Sequence, residues 1–304
     1  MNKFDKLKIV APLDCLNSWQ PRNDVYKTSS PYLLCIRLNR IQGELTIEFT
    51  GKILLDRYQE LINVENIRHC FEKINALGIC TLDIERLLNT ASVTKADFTR
   101  DILLTDMDGV ENIRQLKSLA KLSIVNYRRW VYQDYLHNGL VINNVVTNPR
   151  CRRRLIIYDK SHELNLASNR AFVNALTEPD ILREYFTGRV RFELNATTKH
   201  QLRNWLHIPD TSLSLVLNAE NNPLYIVMSE MFRPINQVEE RRITLRDNDR
   251  IALLKLLDWD LAAVETHIRE HCGRSVTDSM RPYRELYAMH HEIARPIDIR
   301  EYVR

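Results

Sequence analysis

The segment GRVRFELNA (188–196) admits one regular backbone. Val190, Phe192, Leu194 and Ala196 alternate without a break with Arg189, Arg191, Glu193 and Asn195, and a repeat of two is that of a β-strand, whose successive side chains point to opposite faces of a sheet. The apolar set must face a core, so Arg191 and Glu193 lie together on the other face. The same rule puts Asp97, Thr99 and Asp101 of ADFTRDI on one face, with Ala96, Phe98 and Ile102 behind them. In LIIYDK it puts Tyr158 with Lys160, while Leu155 and Ile157 join the core. If these strands are neighbours, one sheet face carries Asp97, Asp101, Glu193, Tyr158, Lys160 and Arg191, with Glu163 just beyond a strand end.

Other segments fill in the order of elements. YLLCIRLNR (32–40) and ELTIEFTGKIL (44–54) read as strands around an Ile-Gln-Gly turn. NVENIRHCFEKINALG spaces Ile67, Cys70, Phe71, Ile74 and Leu77 as a helix does, with Asn63 as N-cap and Gly78 as the stop. VTKADFTRDILLT (93–105) is a strand. After a helix at about 110–121, GLVINNVV (139–146) and RRLIIYD (153–159) are strand-like, LNLASNRAFVNAL (164–176) is helical, and GRVRFELNA closes the series. Strand, strand, helix, strand thus occurs twice, which points to internal duplication with halves 1–108 and 109–233, Asp97 and Glu193 occupying equivalent last strands. From about 235 the chain turns helical: RDNDRIALLKLLDWDLAAVETHIREHCG gives two amphipathic segments, RPYRELYAMHHEI a third, and PINQ (234–237) serves as linker. The expected fold class is α+β: an antiparallel-rich sheet core with duplicated halves over 1–233, and a helical C-terminal subdomain over 234–304.

Composition excludes several classes. With 44% hydrophobic and 27% charged residues, only 7 Gly and 10 Pro, the chain has the profile of a soluble globular protein rather than a disordered one. No stretch is long and apolar enough to span a membrane, and the N-terminal sequence lacks the apolar region of a signal peptide, so the cytoplasm is the expected location. The six cysteines include no C-x-x-C pair, which argues for reduced packing residues. The net charge of +4 is unevenly spread. Between 114 and 160, Arg128, Arg129, Arg152, Arg153 and Arg154 are among the cations that interleave with Tyr127, Trp130, Tyr132 and Tyr135. Such a mixture neutralises phosphates and stacks on bases, or it is a solvated basic face beside an aromatic core.

The polar sheet face also has two readings. Clustered carboxylates bind hard cations such as Mg²⁺ or Mn²⁺, a cation neutralises charge in an in-line displacement at phosphorus, and Lys160 and Arg191 would stabilise the phosphate oxygens. The plain alternative is a solvent-facing strand surface with cross-strand ion pairs such as Arg191 with Asp97. His267-Ile-Arg-Glu-His271 fits the H-x-x-E-H pattern of a zinc protease, but Leu261, Val264 and Ile268 already explain that helix by burial.

Three segments in order, ADFTRDI, RRLIIYDKSHE and GRVRFELNATTKHQLRNWL, resemble the replication initiators of filamentous phages (the gene II protein family) and related rolling-circle initiators of plasmids. EPDILREYFTGRVRFELNATTKHQLRNWLHIP is the nearest stretch, an acidic, Leu-rich turn followed by a G-x-V-R-F-E strand and a helix. The resemblance implies a metal-dependent, site-specific nickase whose tyrosine attacks origin DNA, keeping the 5′-phosphate as an ester and freeing a 3′-OH to prime synthesis. It makes Tyr158 the nucleophile and matches Lys160 and Glu163 to a Y-x-K-x-x-E pattern, Arg191 and Glu193 to R-F-E, and Asp97 to a strand aspartate, with Asp101 in support. Mg²⁺ or Mn²⁺ would then lie among Asp97, Glu163, Glu193 and Asp101. Single- or double-stranded origin DNA would meet Arg191, Arg152, Arg154, Arg128, Arg129 and Trp130. No His-hydrophobic-His pair is present among the nine histidines, which places the resemblance with the branch that uses acidic ligands. Tyr185 reads as a packing residue rather than a second nucleophile. A homodimer and a host helicase docked on the helical tail are left open, and the competing function is a non-catalytic DNA-binding regulator derived from an initiator.

Overall fold

The computed structural model describes residues 2–29, 31–104, 116–117, 120, 123–125, 130–135, 139–146, 148, 152–233, 244–271, 276–290 and 298–304. Its strands in chain order are β1 (Phe4–Pro12), β2 (Leu16–Trp19), β3 (Val25–Thr28), β4 (Leu34–Asn39), β5 (Glu44–Thr50), β6 (Cys80–Leu82), β7 (Ser92–Leu103), β8 (Trp130–Tyr135), β9 (Gly139–Asn144), β10 (Arg154–Asp159) and β11 (Arg189–Ala196). Nine of them make one sheet in the order β3-β4-β5-β1-β7-β11-β10-β9-β8, antiparallel throughout, while β2 and β6 pair separately. The protein is α+β, as its alternating strands and amphipathic helices require.

Strand β1 was not expected from the sequence, yet it lies between β5 and β7. Its Leu7, Ile9 and Ala11 are buried while Lys6 and Lys8 face the other way, but register shifts between Phe4 and Lys6 and between Lys8 and Ile9 interrupt the alternation. The insertion also bears on the repeated element order. β10 pairs directly with β11, whereas β5 is separated from β7 by β1, so the repeated order in the chain does not become a repeated pairing.

One sheet face is covered by helices. Buried Leu, Ile, Phe and Val side chains of β1, β4, β5, β7 and β9 to β11 pack in one cluster with Cys70, Phe71 and Ile74 of α1 (Ile67–Ala76). After α2 (Ile84–Thr90), the chain carries α3 (Lys160–Leu164), α4 (Arg170–Asn174), α5 (Pro179–Phe186), α6 (Lys199–Leu206), α7 (Leu213–Asn218) and α8 (Pro223–Met231). Trp205 of α6, Val216 of α7 and Met228 of α8 complete the same core. The segment expected as one helix over 164–176 is broken into α3, a 3-10 turn (Ala167–Asn169) and α4. The predicted helix at 110–121 and the linker at 234–237 fall largely or wholly outside the described residues.

The helical tail consists of α9 (Leu245–Leu256), α10 (Leu261–His271) and α11 (Val276–His290), which share a cluster that includes Leu254, Val264, Ile268 and Tyr287. Leu261, Val264 and Ile268 are buried as the amphipathic reading required. The last described turn (Ile299–Val303) belongs instead to the sheet core through Ile299 and Val303, and Arg100 Nη1 donates to the carbonyls of Val303 and Arg304 at 2.6 Å each. Among the described residues no helix is long and apolar enough to cross a membrane.

Candidate functional site

The second sheet face is polar, and its registers align the residues singled out by alternation. Asp97 stands opposite Asn195, Thr99 opposite Glu193 and Asp101 opposite Arg191; on the far side of β11, Arg191 stands opposite Tyr158. A one-residue slip would send all of these into the core. Gly188 helps set that phase: it follows α5 with a φ of +69°, a left-handed conformation that suits glycine, and leads directly into β11.

The face is not uniformly open, as the sequence had suggested. At one end the 3-10 segment Gly51–Glu60 and helices α3, α4 and α5 form a roof, with Tyr58, Leu164, Phe172, Leu182 and Phe186 packed together. Beneath it Arg191 is fully buried. Its Nε and Nη2 donate to the two oxygens of Asp101 at 2.7 and 2.8 Å, and its Nη1 donates to Asp5 Oδ1 at 2.8 Å and to the Tyr58 hydroxyl at 2.7 Å. Tyr58 in turn donates to Asp5 at 2.7 Å. Burial opposes the charge on Asp5, but Arg191 and Lys160 outweigh it and hold that carboxyl at about 2. Arg191 and Asp101 therefore do not stand ready for a phosphate or a cation, contrary to the roles expected of them; they satisfy each other as a buried bidentate pair.

Lys160 is not a strand residue but the first of α3, whose N-cap Asp159 accepts from the His162 amide at 3.0 Å. It is 1% exposed and donates to Glu163 Oε2 at 2.6 Å, with its Nζ 5.1 Å from the Tyr58 ring centre and 5.6 Å from that of Tyr158. Asn169 donates to Glu163 Oε1 at 2.9 Å and accepts from Lys52 Nζ at 2.6 Å. Burial raises the cost of a charged Glu163, yet Lys160 and Lys52 keep its carboxyl below the ordinary range. Lys52 moves down, through burial first and the cation of Lys160 second. Glu163 is thus committed to two lysines and an amide, not to the other carboxylates.

The opposite end opens into a cavity of about 410 Å³ lined by Asp97, Glu193 and Asn195 with Arg152, Arg154 and Lys6. Here one amide nitrogen serves two acids: Asn195 Nδ2 donates to Asp97 Oδ1 at 2.8 Å and to Glu193 Oε1 at 3.0 Å, while its Oδ1 accepts from Arg154 Nη1 at 2.6 Å. The other Glu193 oxygen, Oε2, accepts from the Tyr158 hydroxyl at 3.3 Å. Burial, then the neighbouring Glu193, lifts Asp97 to about 7. Glu193 is raised as well, by burial first and by Asp5 second. Tyr158 is 4% exposed, packed with Val141 and Ile156, and its phenol is held well above its ordinary range by burial and by the Glu193 charge. The resting tyrosine is a neutral hydrogen-bond donor, and Lys160 does not make it a phenolate.

The expected four-acid set is therefore divided among three sites: Asp97 with Glu193, Asp101 with Arg191, and Glu163 with Lys160. Among the described residues no group of three or more His, Cys, Asp or Glu side chains is arranged to hold a metal ion. Two adjacent, under-neutralised carboxylates still fit Mg²⁺ or Mn²⁺ in the manner of sites completed by water and substrate phosphate, so Asp97 and Glu193 are the residues that would hold one.

Of the expected DNA contacts, Arg152 is exposed and Arg154 lines the cavity, whereas Arg153 points to Glu230 of α8 at 2.7 Å. Trp130 is 1% exposed and belongs to the core, so it is not a surface for base stacking. Arg128 and Arg129 lie outside the described residues. Tyr185 packs edge-on against Phe186, with the Arg189 guanidinium 4.2 Å from its ring centre. Asp5, Tyr58, Lys52, Asn169 and Asn195 were not singled out by sequence. Only Asn195 carried a usable signal, since it alternates with Glu193 on β11. Compared with protein-family models, curated proteins and solved structures, the chain matches none.

Proposed function

We propose that the protein is a single-strand DNA endonuclease of the rolling-circle initiator type, with Tyr158 as nucleophile. The observation that carries the reading is the contact between the Tyr158 hydroxyl and Glu193, a raised carboxylate beside Asp97 at a cavity bordered by arginines. A phenol held neutral needs a base at the moment of attack, and Glu193 is placed to take its proton. Oη would form the new bond to phosphorus as the bond from phosphorus to the 3′ oxygen breaks. The phenol proton passes to Glu193, and the 3′ oxygen takes one from solvent admitted by the open end of the cavity. Arg152 and Arg154 would hold phosphates near the bond cut. Because Tyr158 is buried and is not among the residues lining the cavity, attack requires its ring to rotate toward it. A divalent cation held by Asp97 and Glu193 would supply neutralisation of charge developing on phosphate. Arg191, Asp101, Asp5 and Tyr58 position β7 and β11 against each other rather than touch substrate.

The test is a covalent one. Incubated with origin-strand DNA and Mg²⁺ or Mn²⁺, the wild-type protein should give a nick and a 5′-phosphotyrosyl adduct mapping to Tyr158, and Tyr158→Phe should give neither while still binding DNA. An adduct on another tyrosine, or tight binding by the wild type with no nick on any candidate strand, would refute the reading; the second outcome is what a non-catalytic regulator would give.

A further inference from the structure

The polar sheet face continues beyond the candidate site, toward the edge formed by β3. Lys6 is in register with Asp97 and Lys8 with Lys95; on the other side of β1, Lys8 faces Glu48 of β5. Glu48 is in register with Cys35 and Thr46 with Arg37 of β4, and Cys35 with Lys27 of β3. Paired residues of an antiparallel ladder share a face, so Lys27, Arg37, Lys8, Lys6 and Lys95 all project on the side that carries Asp97 and Glu193. A second cavity of about 550 Å³ is lined by Lys27, Arg37, Lys8 and Lys6, and the acid among its lining residues is Glu48. Lys6 and Glu48 also line the cavity at Asp97 and Glu193. The two cavities are therefore consecutive parts of one groove across the sheet.

From β3 to β1 that groove is cationic, and the acids Asp97 and Glu193 stand at its far end. Glu48 is bridged by Lys6 and by Lys8, the latter at 3.6 Å, and so offsets only part of their charge. Lys27, Arg37 and Lys95 are exposed. From β3 to β10 the face crosses six inter-strand spacings of about 4.8 Å, or about 29 Å. Extended single strands occupy sites of this order, about 4–16 nucleotides in comparable modules. No aromatic side chain is among the residues lining either cavity, which removes base stacking as a source of affinity here and leaves phosphate neutralisation.

We infer that the Lys27, Arg37, Lys8, Lys6 and Lys95 face is a sequence-independent track for the sugar-phosphate backbone of single-stranded DNA, leading the strand to the cavity at Glu193. The inference rests on the proposed strand cleavage for its choice of polyanion. The absence of aromatic lining makes the track indifferent to base identity.

The track is tested with Lys27→Ala/Arg37→Ala, two exposed positions distant from Tyr158 and Glu193, using a fluorescent 20-nucleotide oligo-dT without divalent cation. Each phosphate contact to a single strand contributes about 0.7 to the slope of log K against log salt. Losing two should flatten that slope by about 1.4, which at 0.1 M salt corresponds to about 25-fold weaker binding. Arg68→Ala/Lys73→Ala on α1, the helix packed against the opposite sheet face, should change neither quantity. Replacing Lys27 and Arg37 by glutamine, which keeps side-chain bulk, should reproduce the alanine result. Unchanged affinity and slope, an equal loss in the α1 variant, equal binding of a duplex, or tighter binding of polyglutamate through the same two residues would each overturn the track. The two proposals separate cleanly. A Tyr158 adduct with oligo-dT affinity insensitive to Lys27 and Arg37 sinks the track alone, whereas a salt-dependent loss in that variant without any adduct sinks the cleavage reading alone.

Discussion

Replacing Asp97 by asparagine should stabilise the protein, and should do so more at high pH than at low. Asp97 is half-buried beside Glu193 and shares the Asn195 amide with it. Its carboxyl is raised from 3.8 to about 7, by burial and then by Glu193. A folded state that holds its proton more tightly than the unfolded state gains stability from that group below the unfolded pKa, and loses it as pH rises through the folded one. Two-state linkage at about 1.4 kcal/mol per unit puts the accumulated cost of the native aspartate at about 2 kcal/mol at pH 5 and about 4 kcal/mol at pH 8.5. These are ceilings, because Glu193 relaxes when its neighbour is neutral. Asparagine keeps the volume and an oxygen to accept from Asn195 but carries no charge at either pH. Urea unfolding of wild type and Asp97→Asn at pH 5 and pH 8.5 should therefore show the variant gaining about 1–3 kcal/mol more at the higher pH. A pH-independent difference, or a larger benefit at pH 5, would mean that Asp97 is already neutralised by partners other than those described and would refute the reasoning.

Two further outcomes follow from the same geometry. At pH 8.5, Mn²⁺ at a hundred times its dissociation constant should raise wild-type stability by about 2.7 kcal/mol through mass action, and Asp97→Asn/Glu193→Gln should abolish that rise in a thermal melt; an undiminished rise would place the cation elsewhere. Arg191→Met should cost about 3–5 kcal/mol, because it strands Asp101 under the roof without its bidentate cation and leaves Asp5 with only the more distant Lys160 and Lys52. A loss below about 1 kcal/mol in urea unfolding would show that water reaches both acids.

Some of this molecule was legible before any fold was known. The period-two alternation of β7, β10 and β11 selects the polar face, because a half-buried strand cannot place Phe192 and Glu193 on the same side. That Asp97, Arg191, Glu193 and Tyr158 share a face follows from that requirement, while their register, which a two-residue shift would change without moving any of them off the face, is set by strand pairing. Burial of Leu261, Val264 and Ile268 followed likewise from helical spacing. Alternation says which residues share a face but not what lies over it. Whether Arg191 meets solvent or Asp101 depends on the roof of Tyr58, Phe172 and Phe186, elements distant in the chain. The site partners Asp5 and Lys6 come from β1, whose alternation is interrupted by two register shifts and whose place in mid-sheet is decided by pairing with β5 and β7. The division of four acids between two buried cations and one open pair is likewise a tertiary result. Only the packed chain determines which carboxylate has a guanidinium or an ammonium within 3 Å and which has another carboxylate instead.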